Sequence, residues 1–172
     1  MARGATAAQA EEITGAPALV GGALVADLDY LYWTTPDGAV LRMHKDGSEL
    51  QQIASAQAFD DNHLTPQYLA LDADHLYWSS TGGRIFRIAK DGANLEVLVD
   101  DLSAPAGIAV DPGSDGRVYW VDGGAGTVQS IAKDGTDPKT HAAGQSQPLV
   151  IALDDTFVYW ATLQGSVLEM AR

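Results

Sequence analysis

The sequence predicts an all-β propeller of four four-stranded antiparallel blades. Three observations carry this expectation. All four tryptophans follow a tyrosine: Tyr32-Trp33, Tyr77-Trp78, Tyr119-Trp120 and Tyr159-Trp160. The tryptophans recur at intervals of 45, 42 and 40 residues, the period of a propeller blade. Around each pair lies the same succession of short apolar runs and turn residues, and no stretch sustains helical periodicity.

Each unit opens with an apolar run ending in Asp, strand a: Leu24 to Asp27, Leu69 to Asp72, Ile108 to Asp111 and Ile151 to Asp154. Strand b carries the Tyr-Trp pair. A Gly-containing turn leads to strand c, at Val40 to Met43, Ile85 to Ile88, Val128 to Ile131 and Val167 to Met170. Three copies then place Asp46-Gly47, Asp91-Gly92 and Asp134-Gly135 behind a lysine. Asp-Gly between alternating runs is a hairpin signal, because the turn needs positive φ. A fourth run, such as Leu95 to Val99, is strand d. A sandwich has similar strand spacing, but it does not repeat one four-strand unit with the same residues in the same places.

Composition agrees. The 172 residues carry a net charge of −13, and 18 of the 23 acidic residues are Asp. Asp favours turns and caps where Glu favours helices, so the acidity accompanies a turn-rich β fold. Such a chain repels phosphate backbones, which argues against nucleic acid as a partner. With no Cys there is no disulfide framework or thiolate site. No apolar run approaches the ~20 residues of a membrane span, and Met1 to Ala10 lacks the apolar core of a secretory signal. Residues 1–10 are expected to be disordered and 11–172 to hold the repeats.

The Asp, apolar-Tyr-Trp, Gly and Lys-Asp-Gly succession resembles the YWTD repeat of low-density-lipoprotein-receptor-type propellers over nearly the whole chain from about Glu11. The tetrads here read Tyr-Trp-Thr-Thr, Tyr-Trp-Ser-Ser, Tyr-Trp-Val-Asp and Tyr-Trp-Ala-Thr, so only Asp122 keeps the family's acid. The resemblance implies a module that binds protein or ligand outside the cytoplasm rather than an enzyme. Propellers of this type usually close with six blades, and four copies depart from that.

The Tyr-Trp pairs read as packing residues, one member between blades and the other on the blade flank, since strand neighbours face opposite ways. Asp27/Asp29 and Asp72/Asp74 lack full calcium-loop spacing and read as turn caps. The Lys-Asp-Gly repetition is accounted for by its turn. Gly123 to Gly126 reads as a b–c turn, not a phosphate cradle. His44, His63, His75 and His141 are scattered, so no catalytic residue, metal site or cofactor is assigned. The longest interval holds extra polar residues between strand d and the next strand a. Asp60, Asp61, Asn62, His63 and Tyr68 are therefore the ligand-binding expectation, on the face that carries the d–a and b–c loops. The leading function is a non-catalytic binding or scaffold module for a protein or small ligand. The alternative is an enzyme with Asp60, Asp61 and His63 as metal or acid–base groups at the channel mouth.

The last copy stops after strand c, whereas Glu11 to Thr14 resembles a strand d. That segment is expected to pair with Val167 to Met170 and complete the fourth blade. Two closures satisfy this pairing: a four-bladed monomer, or a homodimer forming one eight-bladed ring. Inner-strand residues of ordinary size, such as Val25, Leu71, Val110 and Leu153, favour the eight-bladed homodimer, because four strands meeting at one axis call for smaller ones.

Overall fold

The computed structural model describes residues 13, 22–55, 65–113 and 116–172. The described residues form four antiparallel sheets and no helix. The first blade is β1 (Leu24–Ala26), β2 (Tyr30–Thr34), β3 (Val40–His44) and β4 (Gln51–Ala54). The second is β5 (Pro66–Leu71), β6 (His75–Ser80), β7 (Arg84–Ala89) and β8 (Glu96–Val99). The third is β9 (Pro105–Val110), β10 (Arg117–Asp122), β11 (Thr127–Ala132) and β12 (Lys139–Ala142). The fourth is β13 (Pro148–Leu153), β14 (Phe157–Thr162) and β15 (Val167–Ala171). Strands pair in chain order within each sheet. The expected N-terminal strand (Glu11, Glu12, Thr14), the expected disordered segment 1–10, and Asp60 to His63 lie outside the described residues.

Register places each Tyr-Trp pair in the middle of its blade. Tyr32 sits between Val25 and Arg42, and Trp33 between Leu24 and Leu41. The next two blades repeat this with Tyr77 between Ala70 and Arg87, and Tyr119 between Ala109 and Ser130. Because neighbours on a strand point to opposite faces, every blade has a Tyr side and a Trp side. The Tyr side of one blade receives the Trp side of the next. Tyr32 and Val40 cluster with Trp78, Phe86 and Ile88. Tyr77 and Ile85 cluster with Trp120 and Ile131. Val121 and Val128 cluster with Trp160. Tyr32, Tyr77, Trp78, Trp120 and Trp160 thus lie between blades, and in the second blade both members of the pair do so, where one was expected on a flank. The reason is that an interior blade is covered on both sides.

The blades meet along their inner strands, β1 against β5, β5 against β9 and β9 against β13. At Gly107 in β9 the approach is so close that a Cβ would stand 2.8 Å from the Val150 Cα and 2.9 Å from the Ile151 nitrogen. Only glycine fits there.

The three Lys-Asp-Gly turns are alike. The amides of Gly47, Gly92 and Gly135 donate to the carbonyls of His44, Ala89 and Ala132, and these glycines have φ of 88°, 91° and 83°. The preceding Asp stays in ordinary conformation and accepts the amide two residues on: Ser48, Ala93 or Thr136. The glycine meets the conformational demand of the turn and the aspartate caps it.

Candidate functional site

The blade junctions carry a repeated polar arrangement. The Asp that ends strand a caps the a–b turn with Oδ1: Asp27 accepts the amides of Asp29 and Tyr30, and Asp72 those of Asp74 and His75. Its Oδ2 accepts the hydroxyl of the blade's own tyrosine, Tyr32 to Asp27 and Tyr77 to Asp72, each at 3.0 Å. The same oxygen meets a cation from the next blade: Lys90 on Asp27 at 2.8 Å and Lys133 on Asp72 at 2.7 Å. Arg172 takes this position on Asp111. Lys90 and Lys133 of the Lys-Asp-Gly turns are thus interblade ion-pair partners, not merely turn residues, whereas Lys45 donates to the Asp27 carbonyl of its own blade. The signal in the sequence was the constant spacing from strand c, which Arg172 shares.

Burial opposes ionisation of Asp72, but Lys133 and the His75 and Asp74 amides outweigh it and hold its pKa at about 2. Burial likewise opposes ionisation of Asp27, and Lys90 with the neighbouring amides holds it well below the usual carboxylate range. Burial and the Asp72 carboxylate push the Tyr77 hydroxyl upward. A 420 Å³ cleft around Asp72, Asp74, His75, Lys133 and Asp134 opens on this face. Recurrence of the Asp–cation pair at three junctions marks it as structural rather than catalytic.

The opposite face carries the d–a and b–c connections. A 360 Å³ cleft there spans the second, third and fourth blades. Gln67, Thr81, Ser103, Gly123, Gly124, Gln147 and Leu163 line it, with Ala104 to Ala106 and Pro148. None of the lining side chains is charged. Asp122, 1% exposed, ties the loops at this cleft together. It accepts the amides of Ser103, Ala104, Gly124 and Ala125 at 2.8–3.0 Å. The family's acid therefore joins the entry of strand a to the b–c turn of its own blade, while the blade-to-blade contacts pass through Asp27, Asp72 and Asp111.

Of the sequence-based ligand residues, Tyr68 alone is among the described residues. It lies in β5, half-buried, and packs against the clusters at the second-to-third and third-to-fourth junctions. It also borders a 380 Å³ cleft with Gly22, Ala23, Thr65, Pro66 and Gln67. Ser130 Oγ and His141 Nε2 stand 2.7 Å apart, with the Arg117 guanidinium donating to the same hydroxyl. Burial, Arg117 and Lys139 lower the His141 pKa. Ser130 is fully buried and cannot reach a substrate. No group of three His, Cys, Asp or Glu side chains arranged to hold a metal occurs among the described residues.

Comparison with known proteins bears on this architecture. The family described as "Low-density lipoprotein receptor repeat class B" matches residues 74–112. The vitellogenin receptor Yl of Drosophila melanogaster is 35% identical over 66 residues, 38% of this chain and only 3% of that receptor. Nidogen in a complex with laminin superposes with a TM-score of 0.61 at 20% identity, covering 88% of this chain and 75% of that one. The designed protein Ika4 superposes at 0.72 and 15% identity, over 95% and 99%. Virginiamycin B lyase of Staphylococcus aureus superposes at 0.64 and 15%, over 88% and 56%. The chain is accordingly a four-bladed β-propeller, and its residues 74–112 match the low-density lipoprotein receptor class B repeat.

Proposed function

We propose that this propeller is a non-catalytic binding and scaffold module that presents its d–a/b–c face to a ligand and joins a second copy in an eight-bladed ring. The observation that carries the binding reading is the cleft bordered by the Asp122-tied loops. It is lined by small, amide and apolar side chains with exposed backbone, and without an acid or base to drive chemistry. Such a lining suits an uncharged, extended peptide segment, recognised by hydrogen bonds to Gln67 and Gln147 and by contact with Leu163 and Pro148. The nidogen–laminin complex, a propeller fold with a protein partner, supports a protein as that ligand.

A peptide array probed with the intact protein tests this. Leu163 is 62% exposed, so Leu163→Arg leaves the fold intact and places a charge at the rim. Peptides captured by the wild-type protein are expected to be lost or weakened at least tenfold with this variant. Undiminished capture at unchanged melting temperature would place binding elsewhere on the molecule.

A further inference from the structure

The third blade departs from the first two at its outer edge. Strand d carries one bulged residue in each of these blades. It is Ile53 between Gln52 and Ala54, Leu98 between Val97 and Val99, and His141 between Thr140 and Ala142. Ile53 packs in the cluster that holds Trp78 and Phe86 of the second blade, and Leu98 in the one that holds Trp120 of the third. The third blade thus places a titratable ring where the others place an aliphatic side chain. A second replacement goes with it. Opposite the tyrosine, strand c has Arg42 and Arg87 in the first two blades and Ser130 in the third. Arg42 and Arg87 each donate to a lysine carbonyl of the following blade, Lys90 and Lys133. Ser130 faces His141 instead, Oγ to Nε2 at 2.7 Å.

The proton positions in this pair follow from the neighbours. Arg117 Nε donates to Ser130 Oγ at 2.8 Å, and a guanidinium keeps its protons. The serine hydroxyl therefore directs its one hydrogen to His141 Nε2, and the ring is neutral with its proton on Nδ1. Protonation of Nε2 turns this acceptor into a donor. Ser130 then meets two donors, and its own hydrogen is left without an acceptor among the described residues. The residue is 0% exposed, out of reach of water, so the lost bond is not replaced. The charges around the ring oppose protonation as well. Burial first, then Arg117 of β10 and Lys139 of β12, lower the His141 pKa from the ordinary 6.5. Asp137, the carboxylate beside these cations, is held by both, at 2.8 and 2.9 Å. Tyr119 of β10 stacks on the ring at 5.7 Å and stays un-ionised, because burial pushes its hydroxyl up.

We propose that protonation of His141 is an acid switch that frees the outer strand of the third blade. β12 is the edge strand of its sheet, paired to β11. Its residues are exposed apart from half-buried Ala142, and the His141 bond to Ser130 ties it to the fully buried part of β11. The charged ring is better solvated by water than held against Ser130, so it swings out and the tie is lost. β12 runs into the connection in which Gln145 accepts the Trp160 indole at 3.0 Å and donates its amide to the Gly126 carbonyl. The same connection supplies Gln147 to the uncharged cleft, so the switch acts on one wall of that cleft. A lowered pKa in the closed blade means that the opened strand binds the proton more tightly. The contribution of His141 is therefore full above pH ~6.5 and is lost as pH falls below it.

Hydrogen exchange on the full chain, corrected for intrinsic amide chemistry, tests this on either side of that value, at about pH 7.5 and about pH 5. Protection in β12 is expected to fall about tenfold between them, the change that one unit of pKa displacement yields. β8, whose bulged residue is Leu98, is expected to keep its protection. His141→Leu restores the aliphatic side chain of the other blades and is expected to make β12 protection independent of pH over this range. Circular dichroism checks that the variant folds. Nuclear magnetic resonance of the wild-type imidazoles reads the proton directly and decides alone if it does not. His141 is expected to titrate below the ordinary 6.5 and to carry its proton on Nδ1 at neutral pH. An unchanged β12 in acid, an equal loss in β8, or a loss that persists in His141→Leu overturns the proposal. So does a His141 ring that titrates at or above 6.5.

Discussion

At the scale of single residues, the buried aromatics fill the blade junctions. Trp78 and Trp120 are at most 2% exposed and sit at blade junctions. Trp78→Ala and Trp120→Ala are each expected to cost ~3–5 kcal/mol through lost transfer energy and the cavity left behind. Thermal or urea unfolding checks this, and wild-type melting in both variants would assign the rings to the surface. Asp122→Asn tests the loop tie. It places an amide nitrogen among four backbone donors, so about 1–3 kcal/mol is lost and peptide capture on that face weakens with it. Asp72 gives a pH dependence. Its pKa is about 2 in the folded protein against 3.8 for an unperturbed carboxylate, so its contribution is full above pH ~4 and is lost as pH falls toward 2. Lys133→Met removes the favourable charge, and the acid limb of the melting profile is expected to move toward higher pH.

At the scale of the element, the turns and strands were legible because their causes are local. The strand-c runs lie within a residue of where the alternating sequence places them and each Tyr-Trp pair falls inside its strand b, whereas β5, β9 and β13 begin three residues before their strand-a runs. The Asp-Gly signal marks real turns, although of the Asp-Gly pair only the glycine takes positive φ while Asp caps the amide beyond. Gly92→Ala is expected to cost about 1 kcal/mol because φ of +91° is strained for any residue with a Cβ, and the same change in Gly135 should match it. Unequal losses in the two turns would point to packing around Gly92, which lies near Ile53 of the first blade, rather than to backbone strain. The role of the lysine before each Asp-Gly was not legible. Its partner is more than 60 residues away in sequence, Asp27 for Lys90 and Asp72 for Lys133, and nothing local distinguishes a paired lysine from a solvated one.

At the scale of the whole molecule, three junctions are complete among the described residues, and the proposed two-copy ring covers the fourth blade with a second copy. An uncovered blade exchanges its amides through local opening more readily than a covered one. Hydrogen exchange in β14 and β15 is therefore expected to slow as protein concentration rises, while β6 and β7, covered on both sides, stay protected throughout. Equal, concentration-independent protection in the fourth and second blades would show that no second copy reaches the fourth.

The sequence by itself determined the blade. Repetition of Tyr-Trp, of the strand-a aspartate and of Lys-Asp-Gly specifies strand order, turn position and which residues are buried, because each is an alternation or a backbone demand satisfied within some 40 residues. Tertiary structure alone decided what passes between blades: that both aromatics of the second blade lie at junctions, that Asp27, Asp72 and Asp111 take cations from the next blade, and that an uncharged cleft lies across three blades at Gly123 and Gly124. It also moved Tyr68 from a loop expectation to a strand packed toward two junctions. These features depend on the distance and angle between repeats, which are set by side-chain volumes such as the missing Cβ of Gly107, and no periodicity within a repeat encodes them.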